Sequence, residues 1–209
     1  MNWHNNSRRQ LLNAGMFGAA AIAASAIVPT VLSAQNPNAA NDLKILNGAL
    51  FYEHQAIWAY GFAAVKLSKT TVGKSLLEIV LANQADHKSH RDTLSKVIKD
   101  LGGTSIPAQA DYLGTITPYI HNGDGNLDTD ANIARLALAL EVDAAIAYGQ
   151  EAAKLKTPAI VTAATSIGST EACHATIIRS AFKGLGADIK VVPAAFFSAD
   201  TRKDWIIKV

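Results

Sequence analysis

Glu171-x-x-His174 and His87-x-x-His90 each set two possible metal ligands on one helix face, because residues three apart on a helix are neighbours. Glu53 and Glu141 stand singly in two further helical patterns. All six interrupt apolar seams, so the pattern that buries Leu and Ile buries these groups too. Three carboxylates taken out of water together are costly unless positive charge meets them. A metal ion is one source of that charge, and mixed carboxylate and imidazole ligands suit Fe, Mn or Zn rather than Cu(I) or Mg. Protonated imidazoles are the other source: three Glu and three His can form a self-satisfied hydrogen-bonded layer that fixes helix register with no ion. Both remain open at this level.

Four long helical patterns must position these groups. The first runs from Asp42 to about Leu67 through Leu46, Leu50, Glu53, Ile57 and Tyr60. The second, from about Thr71 to Leu101, carries Leu76, Val80, Asn83, His87, His90 and Leu94, and Gly102-Gly103 stops it where a left-handed cap belongs. The third opens at Asp130, the expected N-cap, and passes Leu138, Glu141, Ala145 and Tyr148 to Leu155. Pro158 opens the fourth, which holds Ile160, Ile167, Glu171, His174 and Ile178 and ends near Gly184. Each ionisable residue lies near the midpoint of its helix, and antiparallel midpoints share one cross-section.

The connections predict the topology. Short links at residues 68–70 and 157–158 make two antiparallel hairpins. Residues 102–129, rich in Gly, Pro and Asp, are long enough to run the length of a helix and start the third at the far end. The hairpins also repeat each other. Glu53-x-x-Ala56-x-x-Ala59-Tyr60-Gly61 matches Glu141-x-x-Ala144-x-x-Ala147-Tyr148-Gly149, and His87-x-x-His90 aligns with Glu171-x-x-His174. The expected fold is all-α: a four-helix bundle over residues 42–186 with pseudo-twofold symmetry.

On these residues the chain resembles the ferritin-like superfamily, and in particular Tat-exported bacterial ferritin-like domain proteins of uncharacterised function. The segments that carry the likeness are Glu53-His54-Gln55-Ala56-Ile57-Trp58-Ala59-Tyr60-Gly61, His87-Lys88-Ser89-His90-Arg91 and the stretch around Glu141. The resemblance implies that Glu53 and Glu141 are single-carboxylate ligands. It implies that Glu171 and His174 form a complete Glu-x-x-His, and that His90 is the His of the other pair. His87 departs from the family pattern, which has a second Glu there, so one bridging carboxylate is absent. Asp86 sits one position off, about 100° around the helix, and needs a twist or bulge to take its place. The expected cofactor is iron or manganese, as one ion, an unequal pair, or none.

Other residues carry weaker expectations. His54 points off the seam toward the surface or the back of the site. Tyr60 and Tyr148 are expected as core tyrosines with satisfied hydroxyls, with electron relay as the sharper alternative. Cys173, beside His174, is expected to face away from the site as a buried, inert thiol, and His121 to be solvated. There is no phosphate-binding Gly loop and no nucleophile elbow.

Residues 1–34 contain Arg8 and Arg9 and no Lys, Asp or Glu. A basic start, a weakly apolar Ala/Gly run and small residues at Ser33 and Ala34 resemble a twin-arginine signal, whether cleaved or kept as an anchor. That route carries folded proteins, which suits a chain loaded with metal before export to the periplasm or cell envelope. Membrane attachment is expected only if the leader is uncleaved. The rest of the chain has 17 basic and 17 acidic side chains, a balance that argues against nucleic acid as a partner. The single Cys excludes an intramolecular disulfide. Val191–Phe197 and Trp205-Ile206-Ile207, within the 187–209 tail, are apolar patches that either cover the bundle end or meet a partner, in a homo-oligomer or an envelope complex. Two functions follow: redox chemistry at a metal, as ferrous oxidation or peroxide removal, or a metal-free structural module.

Overall fold

The computed structural model describes residues 37–209, so the leader of residues 1–34 lies outside it. Among the described residues the chain is helical with no strand. The long helices are α1 (Ala39–Lys66), α2 (Thr71–Asp100), α4 (Asp130–Ala152) and α5 (Pro158–Gly184). Two short ones, α3 (Leu113–His121) and α6 (Arg202–Trp205), lie in the crossover and the tail. None of these helices is long and apolar enough to cross a membrane.

Local signals set the helix ends. The Thr70 hydroxyl accepts from Gly73 N–H at 3.1 Å, and the Thr129 hydroxyl accepts from Asn132 N–H at 3.2 Å. Thr129 is therefore the cap of α4, and Asp130, expected in that role, is its first helical residue. Gly102 (φ 77°) takes the left-handed turn that ends α2. α4 stops at Ala152, yet Leu155 remains buried beyond it.

Packing is densest within the hairpins α1–α2 and α4–α5 and thinner where α1 faces α4. Two apolar cores result, one around Tyr60, Leu138, Val142 and Phe182, the other around Leu50, Ile98, Tyr148 and Ile160. The ionisable midpoints lie between them.

Asp130, freed from capping, accepts from the N–H and hydroxyl of Ser68 in the α1–α2 link, at 2.8 and 2.6 Å. Asp42, at the start of α1, accepts from the N–H groups of Lys156 and Thr157 in the α4–α5 link, at 2.9 and 3.0 Å. Each hairpin thus fastens the turn of the other. Asp42 is fully buried. Asp42→Ala strands two backbone donors and is expected to cost about 2 kcal/mol in denaturant unfolding. The more exposed Asp130→Ala costs less.

The crossover is not structureless. This Gly/Pro/Asp-rich stretch reads as a connection, but Pro118 lies in the second half of a nine-residue helix, held by burial of Ile116. The tail packs on its own chain. Trp205 and Ile206 join the Tyr60 core, and Arg179 donates to the carbonyls of Lys190 and Trp205. Arg202 bonds Asp143 and Asp124, and Lys208 also reaches Asp124, a carboxylate with no solvent exposure. The apolar patch is divided, because Phe196 and Val192 remain exposed.

Candidate metal centre

The structure brings all six mid-helix groups into one layer: Glu53 from α1, His87 and His90 from α2, Glu141 from α4, Glu171 and His174 from α5. Five are at most 4% exposed, and His90 is the most accessible. Two overlapping sets have ligand atoms within 4.8 Å of one another: Glu53, His87, His90 and Glu171, and His87, Glu141, Glu171 and His174. His87 and Glu171 belong to both.

His87 takes the shared position through its two ring nitrogens. Nδ1 lies 2.9 Å from Glu53 Oε2, and Nε2 lies 3.1 Å from Glu141 Oε1. His174 Nδ1 lies 3.0 Å from Glu171 Oε2 and 3.3 Å from Glu141 Oε2. His90 Nδ1 and Glu171 Oε1 are only 3.0 Å apart, yet both are buried with no hydrogen-bond partner. Two ligands held about 2.1 Å from one ion stand about 3.0 Å apart across a right angle, the spacing seen here. A carboxylate oxygen and an imidazole nitrogen buried at that distance without a hydrogen bond between them fit a cation.

The tyrosines of the repeat close the layer from either side. Tyr60 donates to Glu141 and Tyr148 donates to Glu53, so each hydroxyl crosses to the other hairpin. Burial first, and then the adjacent carboxylates, push both phenols well above their ordinary pKa, so they act as donors. Asn83, which the sequence shows only as a polar break in its seam, donates to the Tyr60 hydroxyl at 2.9 Å. A Glu followed by a Tyr two turns later in both hairpins was the signal for these contacts.

Protons supply the positive charge in the absence of an ion. Burial opposes charge on His90, but the carboxylates of Glu171 and Glu53 outweigh it and raise its pKa to about 9. His174, against burial, is pushed up to about 12 by Glu141, Asp86 and Glu171, and Glu141 foremost raises His87 well above the imidazole range. Burial works against ionisation of Glu53 too, yet His87 and His90 hold it at about 2. Stability from the raised His90 imidazole is complete below its unfolded value of 6.5 and is lost as pH climbs through 9. Stability from Glu53 is complete above 4.5 and is lost as pH falls toward 2. Metal-free protein should therefore melt highest between pH 4.5 and 6.5 and on the order of 5 °C lower by pH 9, as scanning calorimetry would show.

A family model described as the ferritin-like domain matches residues 41–184. The chain belongs to that family. The crystal structure of a conserved hypothetical protein from Mycobacterium tuberculosis is similar at TM-score 0.56 and 24% identity, covering 69% of this chain and 98% of that one. That likeness is one of fold. No curated protein matches the chain.

Within this ferritin-like bundle the remaining expectations fall into place by contact. Asp86 reaches the site without any helical twist: from a largely exposed position its Oδ2 lies 3.1 Å from His174 Nε2, outside both ligand sets. His54 is half-buried and faces the Ile106 carbonyl of the crossover at 3.3 Å. His121 is exposed. Cys173, expected buried, is exposed, because the face of α5 that buries Glu171 and His174 turns position 173 outward.

Proposed function

We propose that this is an exported ferritin-like protein whose mid-bundle layer binds iron or manganese and supports redox chemistry, as ferrous oxidation or peroxide removal. The observation that carries it is Glu171 Oε1 facing His90 Nδ1 at 3.0 Å with no hydrogen bond formed, both buried within a layer whose other carboxylates and imidazoles are hydrogen-bonded. Glu53, His90, Glu141, Glu171 and His174 would hold the ion, with His87 a sixth ligand or a bridge between the two sets. A redox-active ion there supplies electrons for the reduction of oxygen or peroxide. The chain's own part is to orient the ligands: Tyr60 and Tyr148 fix Glu141 and Glu53, and Asp86 fixes the ring of His174. Because the two ligand sets share His87 and Glu171, the layer offers a separate set of ligands to one ion more readily than to two. The Arg8-Arg9 leader supports delivery to the periplasm or cell envelope by the twin-arginine route.

Elemental analysis of protein purified without added metal, followed by ferrous titration in air, tests the metal and its chemistry. About one iron or manganese per chain, with oxidation above the buffer rate, is expected. Trace metal and no oxidation would end the reading. Mass spectrometry of the native N-terminus shows whether residues 1–34 have been removed.

A second reading rests on His87. With a carboxylate on each ring nitrogen it is arranged as an imidazolium, and such a layer can join the hairpins without an ion. The protein would then be a structural module or a subunit of an envelope complex, and chelator would leave its melting temperature unchanged.

A further inference from the structure

A cavity of about 610 Å³ lies between α1 and α4, of the size that takes small organic ligands. Its origin is legible in the repeat. Where the two helices face each other, the sequence supplies Ala56 and Ala59 against Ala144 and Ala147, side chains too short to close the gap. Trp58 and Ile116 extend the apolar wall, with Ile116 brought in by the crossover helix α3. Glu53, Glu141, His87 and Glu171 also line it, so the cavity runs alongside the ionisable layer. Near one end it is lined by Lys44 and Lys154, both exposed, and by Glu151, whose carboxylate pairs with the Lys154 ammonium at 2.5 Å, which leaves Lys44 as the cation open to a ligand.

We propose that this cavity binds a single-chain alkyl carboxylate, with its head at Lys44 and its chain along the alanine walls past Glu53. The polarity of the cavity dictates that orientation. Lys44 attracts an anionic head, the layer's imidazoles are already matched to its own carboxylates and offer a second anion no free cation, and the space between is apolar. Lys44 and Glu53 are nine residues apart on α1, about 14 Å along the helix axis, so an extended chain of medium length spans the interval. Any reaction of that chain rests on the metal reading above; its binding does not.

Calorimetric titration of the metal-free, full-length protein with hexanoate, octanoate, decanoate and decanol separates the two. One saturable decanoate site per chain is expected, with affinity rising about fourfold per methylene. Decanol should bind at least tenfold more weakly, and Lys44→Gln should remove most of the acid's advantage. Ala147→Phe fills the cavity and should abolish binding; Ala144→Leu, a smaller change, should weaken it if the first variant folds poorly. Metal content, measured separately, should be unaffected in these variants. Absence of saturable decanoate binding, affinity independent of chain length, or full binding in a folded Ala147→Phe protein would overturn the proposal. So would burial of the cavity by a second copy, seen as a wild-type dimer that Ala147→Phe converts to a monomer. Fatty-acid binding without metal would sink only the metal reading, and metal without fatty-acid binding only this one.

Discussion

On the proposed metal reading, Glu171→Gln is expected to leave a folded helical protein that no longer holds the ion. Glu171 is the carboxylate shared by both ligand sets, it has no solvent exposure, and one of its oxygens makes no hydrogen bond. Glutamine keeps the shape and one acceptor but removes the negative charge on which ion and imidazoles converge. Affinity for ferrous or manganous ion should fall at least ~100-fold, beyond the loss usual for outer-shell partners. In wild-type protein with ion at about a thousand times its dissociation constant, linkage adds about 4 kcal/mol of stability. Chelator should therefore lower the wild-type melting temperature by roughly 10 °C and leave Glu171→Gln unmoved. Equal, small chelator responses in both proteins would favour the metal-free layer.

The second large effect lies at the other end of the chain. Trp205→Ala should destabilise the bundle by about 3–5 kcal/mol, lowering the melting temperature by roughly 10 °C. Trp205 is 2% exposed, stacks on Phe197 with ring centroids 3.6 Å apart, and donates its indole N–H to the Phe196 carbonyl at 2.9 Å. Its own carbonyl accepts from the buried Arg179, so truncation disturbs that partner as well. Phe196→Ala, at a side chain 73% exposed, should change stability by less than about 0.5 kcal/mol. A silent Trp205→Ala would mean that the tail detaches freely in solution.

What the sequence revealed follows from periodicity. Leu46, Leu50, Leu94, Leu138 and Ile178 recur on one face of their helices, so the four long elements and the polar breaks in them could be read directly. Glu53, His87, Glu141 and Glu171 were conspicuous because charge on an apolar seam is expensive. Contacts between elements were not legible. Nothing local tells that Tyr60 selects Glu141 rather than Glu53, or that Asp130 binds Ser68 instead of capping its own helix. The burial of Asp124 depends on Arg202 and Lys208, almost eighty residues away or more. The cavity was written in four alanines, but their meaning required knowing that α1 and α4 face each other. Cys173 was misjudged because exposure of a thiol depends on which way its neighbours turn the helix, and His174 sets that direction.

The exchange of aspartates and tyrosines between the hairpins bears on how the chain matures. A lone first hairpin would hold Glu53 with no Tyr148 above it and an α1–α2 turn with no Asp130 to fasten it. Residues 37–100 leave the ribosome well before the residues that complete them. A first hairpin alone therefore leaves Glu53 and the α1–α2 turn without their partners until residues 130–148 have been made and docked.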